Sequence, residues 1–347
     1  MRVAVDELEA LVTERLLGAG VPEEHSDLVA RSLVDADQRG VSSHGTARLP
    51  MYLEAIENGT IDGASLPSTS RASDGASLWD GNRSLGQVAA TRLMRHAVDK
   101  ARAIGAHVAV CHNTNHFGAA AYWARLAADE GCLGMAFTTA HPLVVPTGGT
   151  RAELGTNPIS LAFNGSSEEY VLDMATSAVA LGKVEVRLRE GEPIPDGWAV
   201  DAEGRPVNDP AAVYPDVLHG RVGGLLPLGG ASETSGGHKG YGLGAMVEIL
   251  CAVLGGGGDL TPGRPLEERR AGLWRVSHCY IVIDPEHLAG RQQTGAALDS
   301  MVTALRESPP SDPASPVIVH GDKERKRTEA QQHELEINDL VWRELTA

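Results

Sequence analysis

The stretch VAVCHNTNHFGAAAYWARLAADEGCLGMAFT (108–138) contains the patterns of a strand, a helix and a second strand. Val108 to Cys111 is a short apolar run that predicts a buried strand, 118–130 has helical spacing of its apolar residues, and 133–138 is another apolar run. Strands that alternate with helices are typical of α/β proteins. This stretch therefore decides the predicted fold class, which is α/β.

Further elements are predicted on both sides of this stretch. The additional strands are expected at 159–163, 170–174 and 279–283. The additional helices are expected at 6–38 (two helices, the second opened by Pro22), Thr46 to Glu57, Ser84 (as a cap) to Gly105, 241–254 and 322–345. Residues 190–236 are rich in Gly, Pro and Asp and predict long loops over a site rather than a second core.

The length of the chain predicts two lobes. Its 347 residues exceed the roughly 100–200 that are typical of one domain. Residues 62–82, rich in Ser, Gly and Asp, mark a boundary, and the last helix resembles the first helices in composition. We therefore expect a helical lobe of 1–72 with 296–347, built from both chain ends, and a mixed-sheet lobe of 73–295.

Composition excludes several classes of function. The formal charge of -16, without a basic stripe, argues against nucleic acid as a partner. The N-terminus is acidic and amphipathic, unlike a signal peptide, and no run reaches the roughly 18–20 apolar residues of a membrane span. Four scattered cysteines in apolar stretches favour buried reduced thiols. These features predict a soluble cytoplasmic protein.

Ser43-His44-Gly45 lies in a polar interruption between predicted helices, with Arg48 one helical turn further on. His44 and Arg48 are therefore expected on the same side. Arginine can hold a carboxylate bidentately, and a histidine that titrates near neutral pH can exchange a proton with an adjacent oxygen or nitrogen. Ser43 is a candidate relay to solvent. Taken alone, the same residues also fit a helix cap beside a solvated histidine.

A second polar cluster, 113–120, follows a predicted strand and opens a helix. Backbone amides at a helix start attract phosphate, so a dinucleotide pyrophosphate is one interpretation. The alternative is that Asn115 caps the helix and His116 is structural. His112 and His116 also have the spacing of zinc ligands on a helix, although they straddle a strand end and a loop and have no acidic partner.

A third cluster, 236–245, is rich in glycine and leads into a helix. Gly240, Gly242 and Ala245 formally match a dinucleotide fingerprint, but the fingerprint requires a strand directly before the first glycine, and 229–239 is polar. We interpret the segment as a flexible loop that presents Lys239 to an anionic ligand. A solvent loop with a surface lysine is the alternative.

Six short motifs occur in order over nearly the whole chain. They are RGVSSHG (39–45) with RLP (48–50), NHFG (115–118), GTNP (155–158), LDMAT (172–176), PLGG (227–230) and HKGYG (238–242). Taken together and in this order, they resemble the malate/L-lactate dehydrogenase type 2 family, also called L-sulfolactate dehydrogenase-like. That family includes ureidoglycolate dehydrogenase, diketogulonate reductase and Δ1-piperideine-2-carboxylate reductase.

The resemblance implies a non-Rossmann L-sulfolactate dehydrogenase-like fold, a homodimer, and transfer of a hydride between NAD or NADP and a small 2-oxo or 2-hydroxy acid. By likeness, His44 is the acid or base with Ser43 as its relay, and His116 is the base in some branches. Arg48 and Thr156 lie at the substrate. The implied cofactor contacts are His116, Phe117, Gly118, Ala119, Ala120, Asp173, Met174, Ala175, His238 and Lys239.

Three positions depart from the family pattern. Lys183 stands where the imine-reducing and ureidoglycolate branches tend to have an aspartate, and Met51 replaces a second arginine. The usual Pro-Gly-Glu near the C-terminus is His320-Gly321-Asp322, so no cofactor contact is expected there. The substrate within the class is therefore left open.

Three other functions are compatible with the sequence. A cyclic 2-imino acid is the alternative substrate. A metal hydrolase would use His44, His112, His116 and His141. A catalytically inactive, ligand-binding member of the family would bind cofactor without turnover.

Overall fold

The computed structural model describes residues 1–218, 223–256 and 275–346. The strands are β1 (Arg2–Ala4), β2 (Ser68–Ala72), β3 (Ala76–Asp80), β4 (Ala106–Thr114), β5 (Leu133–Thr138), β6 (Ile159–Asn164), β7 (Glu169–Met174), β8 (Ala199–Val200), β9 (Gly224–Leu225), β10 (Val276–Ile283) and β11 (Glu334–Glu336). Within these residues, seven strands form a sheet of order β2-β3-β4-β10-β5-β6-β7. Because β2 is antiparallel to β3 and β3 is parallel to β4, the sheet is mixed, and the predicted class is confirmed.

Most helices overlap the predicted ranges, but those at Leu181–Glu190, Pro210–Leu218 and Arg291–Arg306 were not predicted. The helices are α1 (Val5–Gly18), α2 (Glu23–Gln38), α3 (Leu49–Glu57), α4 (Gly86–Ile104), α5 (Ala120–Asp129), α6 (Leu181–Glu190), α7 (Pro210–Leu218), α8 (Gly237–Glu248), α9 (Arg291–Arg306), α10 (Asp322–Ala330) and α11 (Asp339–Thr346). As predicted, α2 begins directly after Pro22, and α4 ends at Gly105, which has a φ of +99° that favours glycine.

Six strands were missed by the sequence interpretation: β1, β2, β3, β8, β9 and β11. β2 and β3 lie within 62–82, where only a lobe boundary was predicted. Every residue of β2 is exposed at the edge of the sheet, so the strand lacks the apolar alternation on which such predictions depend. Ser84 does not cap α4, which begins after Leu85 without a side-chain cap. The Ser84 hydroxyl is buried instead.

The chain forms two compact units, of which the first comprises Met1–Ala136, Ser160–Asp173 and Tyr280–Ala347. In this unit β1 pairs with β11, and residues from both chain ends share a buried cluster with α1 and α2. A second cluster packs α4 and α5 against the sheet around Trp123 and Tyr280. The predicted lobes, 1–72 with 296–347 and 73–295, stay a prediction.

The second unit comprises Phe137–Ile159 and Met174–Cys279. The expectation of long loops without a core at 190–236 was wrong for the described part of this range. The short strands β8 and β9 pair there, and a buried apolar cluster includes Val184, Ile194, Val213 and Leu225. The apolar residues of this cluster are widely separated in the sequence, so no short window shows a helical or strand period.

Three further helix boundaries differ from the predictions. The helix expected from Thr46 begins at Leu49, because Thr46–Arg48 forms a separate 3-10 turn. The expected helix at 241–254 begins earlier, at Gly237, and ends in a π-helix at Ile249–Val253. The expected final helix at 322–345 is interrupted between α10 and α11, where Glu334–Glu336 forms β11 and pairs with β1. In this case a tertiary strand pairing outweighs the helical composition.

Each of the four cysteines is a buried thiol, in agreement with the prediction from their apolar surroundings. No helix among the described residues is long and apolar enough to span a membrane.

Candidate active site

The polar interruption after α2 consists of two short 3-10 turns, Ser42–His44 and Thr46–Arg48, joined by Gly45 in an extended conformation. Pro50 lies in the first turn of α3, where a proline is tolerated because its missing N–H would have no helical partner. The segment therefore changes direction twice before the helix begins. This path brings Ser43, His44 and Arg48 together.

The contacts within this segment are short. Ser43 Oγ lies 2.9 Å from Nδ1 of His44, and Nε of Arg48 donates to the Ser43 carbonyl oxygen at 2.5 Å. The guanidinium is close enough to act electrostatically on His44. Ser43 thus contacts both His44 and Arg48.

The protonation of His44 differs from the expectation. The pKa of this half-buried side chain is lowered to about 4, first by burial and second by the positive charge of Arg48. A titration near neutral pH was predicted, and that prediction is wrong for the protein without ligand. At pH 7 the imidazole is neutral, so it is prepared to accept a proton rather than to donate one.

His116 stacks on His44, with ring centroids 5.6 Å apart and planes inclined by 22°. Its Nδ1 lies 2.7 Å from the Tyr52 hydroxyl and accepts from the Gly118 N–H at 3.3 Å. Because a backbone N–H can only donate, Nδ1 is an acceptor, and the Tyr52 hydroxyl must donate to it. The neutral His116 ring therefore carries its proton on Nε2.

Tyr52 was not among the predicted site residues. It is 1% exposed, and burial raises the pKa of its hydroxyl well above the usual value, so the phenol keeps its proton. A signal was present in the sequence, because Tyr52 follows Arg48 at the four-residue spacing that places two side chains on one helix face. Its partner, 64 residues further on, was not predictable from that spacing.

The start of α5 holds a carboxylate instead of standing open. Asp173 Oδ2, at the end of β7, accepts from the Ala121 N–H at 2.7 Å. The predicted phosphate position therefore has at least one amide already bound to a side chain. Asn115 does not cap the helix either: its Nδ2 donates to the carbonyl oxygens of Arg83 and Ser84. Asn115 thus supports the segment that carries His116.

None of the predicted contacts at 117–120 is exposed. The Phe117 ring is 1% exposed and packs on Trp123, whose indole N–H donates to the Phe117 carbonyl oxygen at 3.0 Å. The Phe117 side chain is therefore a core group. Ala119 is half-buried and Ala120 is buried. Gly118 has a φ of +80°, which favours glycine and lets the backbone approach a ligand.

In the second unit, Thr156 is held by its backbone. The Thr156 carbonyl oxygen accepts from both the N–H and the hydroxyl of Thr176, at 2.9 and 3.1 Å. The next residue, Asn157, has a φ of +35° and donates to the Gly244 carbonyl oxygen and to Glu248 at 3.0 and 2.9 Å. Thr156 is therefore anchored to α8 through its neighbour.

His238 and Lys239 lie in the first turn of α8 and are both exposed. The prediction of a flexible loop for them was wrong, because the helix already begins at Gly237. Met174 and Ala175 are half-buried at the end of β7. A cation at a helix N-terminus suits a phosphate, so Lys239 fits the anionic part of a dinucleotide.

The histidine arrangement does not support the metal alternative. In the part of the chain that the structure describes, no group of three or more His, Cys, Asp or Glu side chains is placed to hold a metal ion. The set His44, His112, His116 and His141, named for a hydrolase, therefore does not form such a group. The contacts of His116 with a phenol and a backbone amide agree with that result.

Comparisons with known proteins agree with the geometry. A family model described as malate/L-lactate dehydrogenase matches residues 3–346. A malate dehydrogenase of Pyrococcus horikoshii is 39% identical over 93% of this chain and 87% of its own length. An L-sulfolactate dehydrogenase of Methanocaldococcus jannaschii is 33% identical over 96% and 92%. The crystal structure of malate dehydrogenase from Entamoeba histolytica superposes with a TM-score of 0.93 at 30% identity, covering 100% of this chain and 96% of that one.

Proposed function

Because this chain belongs to the malate/L-lactate dehydrogenase family and is an NAD(P)-dependent dehydrogenase of 2-hydroxy acids, we propose that His44 performs the proton transfer and that Arg48 holds the substrate carboxylate. The observation that carries the proposal is the joint placement of Ser43, His44 and Arg48 beside the stacked His116. These side chains combine an anion clamp with an adjacent base.

The neutral state of His44 sets its role. In oxidation, its unprotonated Nε2 takes the proton of the substrate 2-hydroxyl, while Nδ1 donates to Ser43 Oγ and passes a proton toward solvent. A substrate carboxylate on Arg48 offsets the charge that depresses the pKa of His44, so the imidazolium becomes easier to form once substrate is bound. In reduction the same path runs backward, and His44 donates.

His116 is proposed as the second polar group at the reacting carbon. Its Nε2–H, fixed by the acceptor role of Nδ1, donates to the oxygen on which charge develops in the reduction. The stacked rings present two nitrogens of different function, one basic and one donating. Thr156 is proposed as a further substrate contact.

A nicotinamide cofactor fits the described residues. When bound, it supplies or accepts the hydride at C2 of the substrate. We propose contacts with the backbone from His116 to Ala120, with Asp173, Met174 and Ala175, and with His238 and Lys239. The exposed Lys239 suits phosphate and the exposed Asp173 suits ribose hydroxyls. Both NAD and NADP are compatible with this set.

The proposed function is tested with a panel of 2-oxo and 2-imino acids: pyruvate, oxaloacetate, sulfopyruvate, ketopantoate, diketogulonate and piperideine-2-carboxylate. We expect loss of NADH or NADPH absorbance with at least one 2-oxo acid, and cofactor binding by calorimetry. No loss of absorbance with either cofactor, together with no cofactor binding, would overturn the proposal. Binding without turnover would instead favour a ligand-binding member of the family.

Tyr52→Phe is expected to lower kcat about tenfold, since it removes the hydroxyl that holds His116 Nδ1 as an acceptor, and a buried hydrogen bond of this kind contributes on the order of 1–2 kcal/mol. The matched control is Tyr280→Phe, because Tyr280 is equally buried but lies in β10. The control should keep the wild-type kcat. Equal kcat values in both variants would show that Tyr52 acts only in packing.

We further propose a homodimer in the cytoplasm, in which 73–295 binds the cofactor and 1–72 with 296–347 forms the helical lobe. The buried thiols support a reducing compartment. Sedimentation of the purified protein tests the dimer.

A further inference from the structure

A buried carboxylate lies directly beneath the segment that carries Ser43 and His44. Asp37, near the end of α2, is 9% exposed. Its Oδ2 accepts from the Thr46 N–H at 2.8 Å and from the Thr46 hydroxyl at 2.7 Å. One oxygen thus binds the start of the second 3-10 turn by two hydrogen bonds, which join α2 to the turn that ends at Arg48.

The same carboxylate also shapes the junction between the two turns. A Cβ added to Gly45 would lie 2.0 Å from Asp37 Oδ1, far inside contact distance. The backbone between His44 and Thr46 therefore crosses the face of the carboxylate, and only glycine allows this approach. Both oxygens of Asp37 contact the segment, one by hydrogen bonds and one by packing.

This arrangement has an energetic cost that capping alone does not require. The pKa of Asp37 is raised to about 6, because the effect of burial outweighs that of the two hydrogen bonds from Thr46, which lower it. Burying a charge is unfavourable, and serine or asparagine can cap a turn without one. A buried group that lowers stability is typical of functional sites, where the exact position of a catalytic segment is retained at the expense of stability.

We propose that Asp37 is a positioning residue, whose ionised carboxylate holds the turns that carry Ser43, His44 and Arg48 in the arrangement needed for proton transfer. The inference rests on the proposed function of those three residues. Hydrogen bonds to an ionised acceptor are roughly twice as strong as neutral ones, so protonation of Asp37 loosens its hold on Thr46. Turnover then depends on a group that does not touch the substrate.

Solvent reaches Asp37 from one side. The carboxylate lies in the wall of an open cavity of about 750 Å³ that also includes Gly40 and Ser42. The charged and titratable groups that share this cavity with it are Arg2, Arg327, Glu329, His333, Glu334 and Glu336. On its other side Asp37 faces Thr46 and Gly45, which do not titrate. The proton that it gains at low pH therefore comes from this cavity.

The signs of the two pH effects are opposite. The pKa of Asp37 in the folded chain, about 6, exceeds its ordinary value of 3.8, so the folded state binds this proton more tightly than the unfolded state. Its contribution to stability therefore rises as pH falls through about 6. Turnover falls over the same interval, because the ionised form is lost. A simple structural cap would lose stability and activity together.

The test compares Asp37→Asn and Asp37→Ala with the matched control Asp284→Asn. Asp284 is also a buried aspartate that caps a 3-10 turn, Pro285–His287, by accepting from the Glu286 N–H at 3.0 Å. Turnover is measured from about pH 5 to pH 8 with the 2-oxo acid of the panel that is reduced, and in reverse with its 2-hydroxy acid.

We expect Asp37→Ala to lower kcat in 2-hydroxy acid oxidation about tenfold or more, with cofactor affinity within about twofold of wild type. Asp37→Asn, which keeps an acceptor oxygen but carries no charge, should resemble the protonated wild type and turn over at the reduced low-pH rate across the whole pH range. The turnover of this variant should also no longer fall as pH drops through about 6, and its Tm at pH 8 should equal that of the wild type. Asp284→Asn should lower Tm and leave the pH profile unchanged.

A second measurement does not depend on turnover. The ring of His44 is titrated by NMR in each protein. Its pKa, about 4 in the wild type, should rise toward 6.5 in Asp37→Ala, because the loosened turn lets water reach the ring. An unchanged His44 pKa with a wild-type pH profile in both Asp37 variants would overturn the inference. If the wild type reduces no acid in the panel, the proposed function fails, while the titration still reports on Asp37.

Discussion

His44→Ala is expected to lower kcat by about 10²- to 10⁴-fold, the usual loss when a general acid or base is removed. Cofactor affinity should change by less than about twofold, because the proposed role of His44 concerns the substrate hydroxyl alone. Stopped-flow absorbance at the nicotinamide band and calorimetry with NADH measure the two quantities separately. Oxidation of the 2-hydroxy acid should be affected as strongly as reduction of the 2-oxo acid, since one proton path serves both directions.

The matched control for this variant is His25→Ala. His25 is 7% exposed, and its Nδ1 lies 2.9 Å from the Gly63 carbonyl oxygen, so it is a buried histidine with a structural partner. Its replacement should lower Tm and leave kcat unchanged. If His44→Ala lost turnover and cofactor affinity equally, His44 would belong to the cofactor site. Retained turnover would assign the proton transfer to His116.

Arg48→Lys is expected to raise KM for the 2-oxo acid by about 10- to 100-fold with a smaller change in kcat. A guanidinium can bind a carboxylate with two parallel hydrogen bonds, whereas an ammonium acts as a point charge. Lysine also lacks the planar fork with which Nε of Arg48 reaches the Ser43 carbonyl oxygen. Steady-state kinetics across the substrate panel measures the effect, and Arg92→Lys on the exposed side of α4 is the control.

Arg48→Met tests the effect of the Arg48 charge on His44 separately from the proposed binding of the substrate carboxylate. Removing the positive charge should raise the pKa of His44 above about 4, because Arg48 is one of the two causes of its depression. The other cause, burial, should keep the value below 6.5. NMR titration of the free enzyme measures this shift. A KM and a His44 pKa that both stay at wild-type values would place the substrate carboxylate on another residue.

Much of the fold follows from local pattern. β5 was predicted at 133–138 and is observed at Leu133–Thr138, because an apolar run this short, bounded by Gly131 and a polar loop, favours a buried strand over a helix. β2 was missed because both of its faces are exposed. The break between α10 and α11 depends on pairing of β11 with β1, about 330 residues away, which no local window contains.

The candidate site likewise combines residues that the sequence indicates with contacts that only the folded chain creates. Ser43, His44 and Arg48 are neighbours in sequence, so their spacing and the ordered motifs identified them. Tyr52 and His116 are 64 residues apart, and no local pattern in either segment predicts that the two side chains are in contact. Asp37 lies only nine residues from Thr46, but its hydrogen bonds require the chain to fold back across Gly45.

The sequence by itself determined the α/β class and the family, and it indicated the residues proposed as acid, base and anion-binding groups, because each of these follows from residue type and order. The tertiary structure alone decided their surroundings: burial lowers the pKa of His44 and raises that of Asp37, and Nδ1 of His116 accepts from the Gly118 N–H. Desolvation and hydrogen bonding set a protonation state, and both depend on what the rest of the chain packs around a side chain.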